Sequence, residues 1–490
     1  MNIAQRIRAS DVVHAQMLIG GQQSGSSDRI EVSNPANPAE IVGTIARGTS
    51  SDIDRAVAAA KAAQPAWAAK SFTERAQALS RALAALEGDI AARAVLFVRE
   101  NGKSLAEAEG ELSSVPKRQK LTLDLAAELD EGRALDAPTG RTMIGFKPYG
   151  VVLSIVPWNS PVSLGFAQVI AALLAGNAIV LKPPETCPLA LIRAAELAAG
   201  ELPPGLINIV TGMPSEIGDA LTSHPDIGKI GFTGSIPSAR RIMANAAQTI
   251  KGITLELGGN DPAIVLEDAD LSPKSMERMV RAVFRMSGQI CMAIKRIYVH
   301  ENIKTPFLDA FCAEVDRIAV GDGLEPNVTM GPLHTRRALE RALGLVADAE
   351  HRGAHVRRLG QIPDRAVFER GYFMQPMVVT DLPDDALLMS EEQFSPVIPV
   401  ATYKTLDEAF QRANATVFGL GGSVWSADVE RAMQLAHRIE AGTVFVNSHG
   451  TEWLNRSAPY GGVKQSGIGR KAGLEGVLEY VQVQTLTTFE

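Results

Sequence analysis

The sequence predicts an α/β protein built on parallel β-sheets. Three observations carry the prediction: short apolar runs of β type recur between residues 150 and 258, helix-length segments separate them, and a second such series runs from about 260 to 450. Near-continuous apolar strands that alternate with helices are typical of parallel sheets covered on both faces. At 490 residues, the chain is long enough for two or three domains.

Each series contains five β-type runs. The first comprises VVLSIVP (151–157), AIVLKP (178–183), LINIVTG (206–212), KIGFTG (229–234) and ITLELGG (253–259). The second includes RIYVH (296–300), PMVVTDL (376–382), VIPVATY (397–403), GGSVWS (421–426) and GTVFVN (442–447). Ligands bind at the carboxyl ends of the strands in such sheets. Because every run of the first series ends in a polar or turn motif, we expect the chemistry there.

The two ends of the chain show different patterns. The opening part predicts short strands, with turns at Asn34-Pro35 and Asn37-Pro38. Helical patterns follow from Ser51 to about Glu131, and the stretch Ser71-Phe-Thr-Glu74 predicts a capping box at a helix start. The tail LEYVQVQTLTT alternates apolar and polar residues, which predicts an edge strand that pairs with another segment or subunit.

Composition excludes several classes of function. A net charge of −7 and a pI near 5.8 argue against binding to nucleic acid. The short basic run PKRQK, residues 116–120, is interpreted as a solvated helix face. His351 and His355 lie one helical turn apart, but Gly353 separates them and no third ligand is evident, so we expect no metal site.

The sequence also favours a cytoplasmic location without membrane contact. Three cysteines, none in a CxxC pair, are too few for a disulfide framework and fit a reducing compartment. The first residues lack the apolar core of a signal peptide. Residues 162–181 are long enough to span a bilayer. Gly176-Asn177 interrupts them, however, so a buried helix, a tight turn and a buried strand explain them better.

Two motifs at the ends of predicted strands have side chains suited to binding a nucleotide. In KPPE, Lys182 and Glu185 could bracket a ribose, with the carboxylate repelling a 2′-phosphate, or they could form a surface ion pair. FTGS (232–235) ends a strand and opens a predicted helix, where Ser235 could cap the helix or donate to a phosphate. It lacks the later glycines of GxGxxG, so a purely structural corner stays open.

Three further motifs carry candidate catalytic residues. Asn159 of PWN could donate to a developing oxyanion, or it could be a turn residue. Glu256 of LELGG is a carboxylate between leucines, where desolvation would raise its pKa toward that of a general base. Cys291 of GQIC is a nucleophile or a small buried hydrophobe. Cys312 lies on an apolar helical face, which predicts core packing.

These motifs occur in one order, followed by EEQF (391–394) and PYGGVKQSGIGR (459–470). From about Gly20 to Thr488 the chain thereby resembles the aldehyde dehydrogenase superfamily, of the NAD(P)-dependent, non-acylating type. The resemblance implies three parts. These are a Rossmann-type parallel-sheet cofactor domain (1–120 and 145–257), an α/β catalytic domain (258–455) and a small β oligomerisation hairpin with bridging segments (121–144 and 456–490).

The resemblance also implies partners and residue roles. It implies NAD as cofactor, with NADP left open, a small-molecule aldehyde as substrate, and self-association as a dimer or tetramer. Cys291 would be the nucleophile, Glu256 the general base and Asn159 the oxyanion donor. The cofactor would be bound by Ile155, Val156, Pro157, Trp158, Lys182, Glu185, Phe232, Gly234, Ser235, Leu257, Gly258, Glu392 and Phe394. The substrate tunnel would be lined by Ser160, Leu164, Ala167, Ile290, Met292, Trp453, Leu454 and Tyr460.

The implied reaction is oxidation of an aldehyde to the carboxylic acid, through a thiohemiacetal and a thioester on Cys291. The helix predicted before the cysteine would end near it and disfavour a thiolate. We therefore expect the nicotinamide or Glu256 to activate the thiol. The mostly apolar tunnel favours an apolar or aromatic aldehyde, while Arg456 leaves a semialdehyde bearing a carboxylate open. The alternatives are a coenzyme A-acylating enzyme, against which Glu256 argues, and an idle cofactor-binding relative.

Three positions depart from the family pattern. Met286 stands where Asn is usual, which would weaken support of the cysteine loop. Ala239 replaces a glycine at the end of the FTGS loop, and its small side chain should spare cofactor binding. Lys471 stands where many members carry a glutamate that is implicated in proton relay to the base, which would affect deacylation but not hydride transfer.

Overall fold

A computed structural model describes residues 12–136 and 140–489. The remaining residues lie outside the described part, including the N-terminal residues examined for a signal peptide and the outermost residues of the predicted domain segments. Within the described ranges, no helix combines the length and apolarity needed to cross a membrane. Residues 162–181 form a buried helix, a turn and a buried strand, which confirms that prediction.

The N-terminal region contains five short strands and then a run of helices. The elements are β1 (Val13–Ala15), β2 (Met17–Ile19), β3 (Gln22–Ser24), β4 (Arg29–Asn34), β5 (Asn37–Ala46), α1 (Ser50–Ala68), α2 (Phe72–Ala84), α3 (Ile90–Asn101), α4 (Leu105–Leu123), α5 (Ala126–Glu131), β6 (Arg133–Asp136) and β7 (Arg141–Pro148). The capping box is confirmed: Ser71 Oγ accepts from Glu74 N at 3.1 Å. The turn predicted at Asn37-Pro38 is wrong, because these residues already begin β5 and the reversal lies at Pro35-Ala36.

The first predicted series forms the parallel centre of an eight-stranded sheet. Its elements are β8 (Val151–Ile155), α6 (Pro161–Leu174), β9 (Ala178–Lys182), α7 (Leu189–Gly200), β10 (Ile207–Ile209), α8 (Pro214–Ser223), β11 (Ile227–Thr233), α9 (Ile236–Ala247) and β12 (Gly252–Glu256). The central order is β12-β11-β8-β9-β10, with every neighbouring pair parallel. The carboxyl ends of these strands therefore meet at one edge, which confirms the predicted sheet.

The second predicted series forms a seven-stranded sheet of order β15-β16-β17-β14-β13-β18-β19. Only β15 is antiparallel to its neighbour. The elements are β13 (Asp261–Val265), α10 (Pro273–Phe284), β14 (Ile294–His300), α11 (Lys304–Val315), α12 (Arg336–His351), β15 (His355–Arg358), α13 (Arg365–Arg370), β16 (Met377–Thr380), α14 (Leu387–Ser390), β17 (Val397–Tyr403), α15 (Leu406–Asn414), β18 (Gly421–Trp425), α16 (Val429–Ala436) and β19 (Thr443–Val446). Cys312 of α11 is buried in the apolar cluster packed on this sheet, as predicted.

The C-terminal residues close both the large sheet and a small one. They form β20 (Gly467–Ile468), α17 (Gly473–Leu478) and β21 (Val481–Thr487). β20 pairs antiparallel with the end of β12, and β2 and β3 extend the opposite side of the same sheet. β21 pairs with β7 in a three-stranded antiparallel sheet of order β21-β7-β6. The tail is thus an edge strand, as predicted, with its partner in its own chain.

Candidate active site

A groove runs along the carboxyl edge of the eight-stranded sheet. It encloses about 1310 Å³, part of it open to solvent. Nine of the residues predicted to bind a cofactor line it: Ile155, Val156, Pro157, Trp158, Lys182, Glu185, Phe232, Gly234 and Ser235. They follow β8, β9 and β11, so the parallel topology alone brings them together.

Lys182 and Glu185 meet at one side of this groove. The Lys182 ammonium lies 2.9 Å from one Glu185 carboxylate oxygen, and the Lys182 side chain is buried. Lys182 and Glu185 therefore form the predicted ion pair. The pair fixes the Glu185 carboxylate beside the groove, and the second oxygen of that carboxylate has no hydrogen-bond partner among the described residues. The pair and a ribose contact are compatible with each other.

The FTGS motif forms the opposite side of the groove. Ser235 is the N-cap of α9, where its hydroxyl accepts from Ser238 N at 3.4 Å. Gly234 lies against the Phe232 ring, and a Cβ there would clash with it. The main chain of this turn therefore borders the groove at the positive end of a helix. Ala239 is buried in the first turn of α9, where its N–H donates to Ser235 O at 3.0 Å.

An aromatic stack stands where the groove approaches the second sheet. The Trp158 indole stacks on the His334 ring at 4.2 Å between centroids, and Phe394 packs edge-on against it at 5.8 Å. Burial lowers the pKa of His334 to about 4, so the stacked ring is neutral at physiological pH. His334, which the sequence did not single out, completes this wall together with Thr186, whose Oγ1 lies 2.7 Å from His334 Nε2.

Three other predicted cofactor residues gather at the loop after β12, beside the groove rather than in its lining. Glu392 Oε1 accepts from Gly259 N at 3.2 Å. A Cβ on Gly258 would clash with the Glu392 carboxylate, so this glycine permits the close approach. Leu257 is buried in the same loop. The carboxylate is thus held by the segment that follows Glu256.

The loop that carries Cys291 is shaped by backbone rather than by a helix end. α10 stops at Phe284, and Met286 and Ser287 adopt left-handed φ values of 52° and 58°. The helix predicted before the cysteine is therefore present, and a 3₁₀ turn at Arg285–Gly288 separates its end from Cys291. Support for the loop does not depend on an asparagine at position 286, since Glu107 Oε1 accepts from Met286 N at 2.8 Å and Ser287 Oγ donates to Gly331 O at 2.8 Å.

Cys291 is half-buried, and its thiol is protonated in this environment. Burial, together with the negative charges of Glu392 and Glu256, raises its pKa to about 12, while the Lys295 ammonium acts in the opposite direction. Desolvation is thus the main obstacle to a thiolate. Any nucleophile here needs a proton acceptor or an added positive charge.

Asn159 is fixed on the far side of the cysteine loop. Its buried amide Nδ2 donates to Gln289 O at 3.0 Å, which leaves one amide hydrogen for a further acceptor. Its main-chain carbonyl accepts from the Lys103 ammonium at 3.0 Å, and Lys103 is paired with buried Glu111 at 2.6 Å. A buried ion pair therefore holds the main chain at Asn159, while Gln289 O fixes the side chain.

Glu256 is buried at the end of β12, next to the same cavity. Burial raises its pKa to about 7, against the opposing effect of the nearby Lys471, Arg470 and Tyr460 side chains. Its Oε1 is buried and has no hydrogen-bond partner within the described ranges. A buried carboxylate oxygen without a partner costs free energy unless a ligand or water occupies it. The carboxylate is thus suited to accept a proton near neutral pH.

Lys471, the departure from the family pattern, lies inside this site. It is buried, lines the cavity and donates to Thr233 Oγ1 at 2.7 Å. Burial lowers its pKa, while the nearby Glu256 carboxylate raises it. A cation therefore stands where a relay acid was expected.

One cavity of about 1260 Å³, open at one end, contains Cys291 and Asn159. Seven of the predicted tunnel residues line it: Ser160, Leu164, Ala167, Ile290, Met292, Leu454 and Tyr460. Trp453 lines a neighbouring pocket instead and is 52 % exposed.

The interpretation of PKRQK as a solvated face is wrong for Arg118, which lines the cavity, although Lys117 and Lys120 are exposed. Helical periodicity could have placed Arg118 beside buried Val115 and Gln119.

Fold and site together define a dehydrogenase: a nucleotide-sized groove at a parallel-sheet edge adjoins a cavity with a thiol and a carboxylate. Residues 22–486 match the model of the "Aldehyde dehydrogenase family". The chain belongs to the aldehyde dehydrogenase family.

Individual relatives match along almost the whole chain. The aminoaldehyde dehydrogenase 2 of Pisum sativum is 37% identical over 488 residues, covering 97% of this chain and 95% of the relative. The chloroplastic betaine aldehyde dehydrogenase of Beta vulgaris is 35% identical over 491 residues, covering 96% of both chains. The betaine aldehyde dehydrogenase of Staphylococcus aureus, solved in complex with NAD⁺, has a TM-score of 0.92 at 31% identity and covers 100% of this chain and 97% of that one.

Proposed function

We propose that this enzyme oxidises an aldehyde to its carboxylic acid with NAD⁺, using Cys291 as nucleophile and Glu256 as general base. The observation that carries the proposal is Glu256 itself. It is a buried carboxylate with a pKa of about 7 and an unpartnered oxygen, beside the cavity that holds the only thiol in its lining. A water-activating base of this kind argues against transfer of the acyl group to coenzyme A. The presence of Cys291, Glu256 and Asn159 together argues against a cofactor-binding protein without catalytic activity.

The protein contributes positioning, charge stabilisation and proton transfer. The Cys291 sulfur would attack the carbonyl carbon, and the free Asn159 amide hydrogen would donate to the resulting oxyanion. Because Asn159 is fixed by Gln289 and Lys103, little reorganisation accompanies this step. Once the adduct has lost its hydride to the bound cofactor and become a thioester, ionised Glu256 would take a proton from the attacking water and pass it to the departing sulfur, which releases the acid and the Cys291 thiol.

The groove fits a dinucleotide. Its main chain borders the start of α9, where phosphate is favoured, and Glu185 presents a carboxylate to a ribose and repels a 2′-phosphate. Trp158 and Phe394 form the wall toward Cys291. When bound there, NAD⁺ supplies the hydride acceptor. NADP remains an alternative that Lys182 could accommodate.

The cavity favours an aldehyde with an apolar carbon skeleton. Leu164, Ala167, Ile290, Met292 and Leu454 line the space around the thiol. The names of the relatives refer to aminoaldehydes and betaine aldehyde, and those substrates are polar at the end opposite the carbonyl. The apolar lining therefore bears only on the carbon skeleton of the substrate, and the charge of the group opposite the carbonyl has to be argued from other residues.

Self-association and a cytoplasmic location complete the proposal. β21 is an edge strand on which Val483 and Leu486 are 66 % and 57 % exposed, and such an edge favours pairing with a second copy. The three cysteines are unpaired, as in a reducing compartment. The relatives named above include peroxisomal and chloroplastic proteins, so location calls for direct imaging of the tagged full-length chain.

An aldehyde panel tests the proposed function. The purified enzyme should form NADH from at least one of a set of aliphatic and aromatic aldehydes, with kcat/KM for NAD⁺ at least about tenfold above that for NADP⁺ because Glu185 repels the 2′-phosphate. Absorbance at the reduced nicotinamide band and quantification of the acid product check it. A thioester product formed only with added coenzyme A would contradict it.

In a Lys471→Met variant, the acid limb of the pH profile of kcat should shift to higher pH. Removing the buried cation removes a charge that lowers the pKa of Glu256, so that pKa rises and less of the base is ionised at neutral pH. We expect turnover at pH 6.5 to fall roughly three- to tenfold and to recover at high pH. Exposed Lys120→Met is the control. An unshifted limb would show that Lys471 does not act on the base.

A further inference from the structure

Three arginines converge on the cavity that holds Cys291. Arg118 comes from α4, Arg285 follows α10, and Arg456 lies in the loop between β19 and β20. Arg118 and Arg285 also line the adjoining surface cavity, so they lie where the two cavities meet. The sequence separates these side chains widely, and only the fold brings them together.

The carboxylates near this cluster do not neutralise it. Arg285 is paired with Glu452 at 3.0 Å, but both Glu452 oxygens also accept from Arg281 at 2.6 Å. Glu111, the acidic residue in the cavity lining, is paired with Lys103. Among the described residues, Arg118 and Arg456 form no ion pair. The lining of the cavity, with these three arginines and Lys471 against Glu111 as its carboxylate, therefore carries net positive charge.

The same arginines retain unused hydrogen-bond donors. Arg456 donates to Thr451 O at 2.6 Å and Arg118 to Ser163 Oγ at 3.3 Å, although each guanidinium has five N–H groups. The Arg285 Nε is buried and has no partner within the described ranges. Burial, and then the charges of Arg118 and Arg285, lower the pKa of Arg456 to about 10. Such a cluster costs free energy until an anion binds.

We propose that the substrate is an aldehyde bearing a carboxylate at the end opposite its carbonyl, bound by Arg118, Arg285 and Arg456. The proposal deepens the proposed function and rests on it. Guanidinium groups match carboxylates in bidentate geometry. The apolar residues around Cys291 would contact the carbon chain between the two ends. An aldehyde bearing an ammonium group would meet like charge at the same place.

Three aldehydes with the same four-carbon chain test the proposal: 4-oxobutanoate, butanal and 4-(trimethylammonio)butanal, a cation that cannot cyclise onto its own carbonyl. We expect kcat/KM to fall at least about tenfold from the carboxylate to the neutral aldehyde, and further to the cation. Succinate should inhibit competitively against the aldehyde, and raised salt should weaken the preference. Equal or inverted order with NADH still formed would overturn the carboxylate proposal alone. No NADH from any aldehyde would overturn the proposed function.

Arg456→Gln and Arg118→Gln identify the binding groups. Each should raise KM for 4-oxobutanoate about ten- to a hundredfold and change kcat/KM for butanal far less, so that the preference for the carboxylate falls. Lys120→Gln removes one positive charge from an exposed position of the same helix as Arg118 and should change neither value. Equal losses with both substrates would show a structural role for the arginines and contradict the proposal. If a variant does not fold, the preference of the wild-type enzyme among the three aldehydes still decides whether the substrate bears a carboxylate.

Discussion

A Cys291→Ala variant is expected to lose NADH formation from every aldehyde that the wild-type enzyme oxidises, by at least about 10³-fold. Without the sulfur, the carbonyl carbon in the cavity has no nucleophile, and no other thiol lines that space. The change removes one atom from a half-buried position, so we expect the fold to persist. Initial rates with saturating aldehyde and NAD⁺ measure the loss.

Cys312→Ala provides the matched control. Its thiol is buried in the apolar cluster of the seven-stranded sheet, far from any proposed role, and its loss should leave the rate within about twofold. Binding of NADH to both variants, measured by fluorescence, distinguishes loss of the catalytic step from damage to the cofactor groove. If Cys291→Ala kept more than about one hundredth of the wild-type rate, Cys291 would not be the nucleophile.

Glu256→Gln should stop turnover after the first half of the reaction. The amide cannot take a proton from water, so steady-state kcat falls about 10²- to 10⁴-fold. Attack by sulfur and hydride transfer do not need this base, and one NADH per active site should still form in a burst. Rapid mixing followed by absorbance measures the burst, and Cys291→Ala should show none.

The same variant decides how the thiol is ionised. The negative charge of Glu256 raises the pKa of Cys291, so its removal should lower that pKa and leave alkylation by iodoacetamide no slower at a given pH. Adding NAD⁺ should lower the thiol pKa further. A burst and an alkylation rate that both collapse in Glu256→Gln would instead assign activation of the thiol to Glu256.

The sequence predicted the central sheet well because its strands are buried on both faces. Continuous apolar runs such as VVLSI and AIVLK leave no other stable arrangement, and parallel pairing then aligns their polar ends. Asn159, Lys182 and Glu256 lie where this logic places them. The edge strand β20 spans only two residues, too few for a periodic pattern.

The parts that could not be predicted depend on backbone turns and side-chain direction. Met286 and Ser287 take left-handed conformations that periodicity does not encode, and they separate the end of α10 from Cys291. Arg118 looked solvated because charged residues usually face water, yet its helix presents it to a cavity formed partly by a loop more than 300 residues later. Arginines drawn from three segments form a cluster that no local pattern announces.

The stack of His334 on Trp158 gives the groove an intrinsic optical signal. The imidazole loses its charge above a pKa of about 4, and Glu256 titrates near 7. The indole therefore keeps an unchanged aromatic neighbour throughout the pH range in which the base titrates. Trp67 and Trp425 are buried elsewhere in the protein, and a Trp453→Phe background removes the signal of the exposed tryptophan near the catalytic cavity. A pH-independent change in emission on adding a nucleotide would thus report occupancy of the groove, separately from chemistry at the thiol.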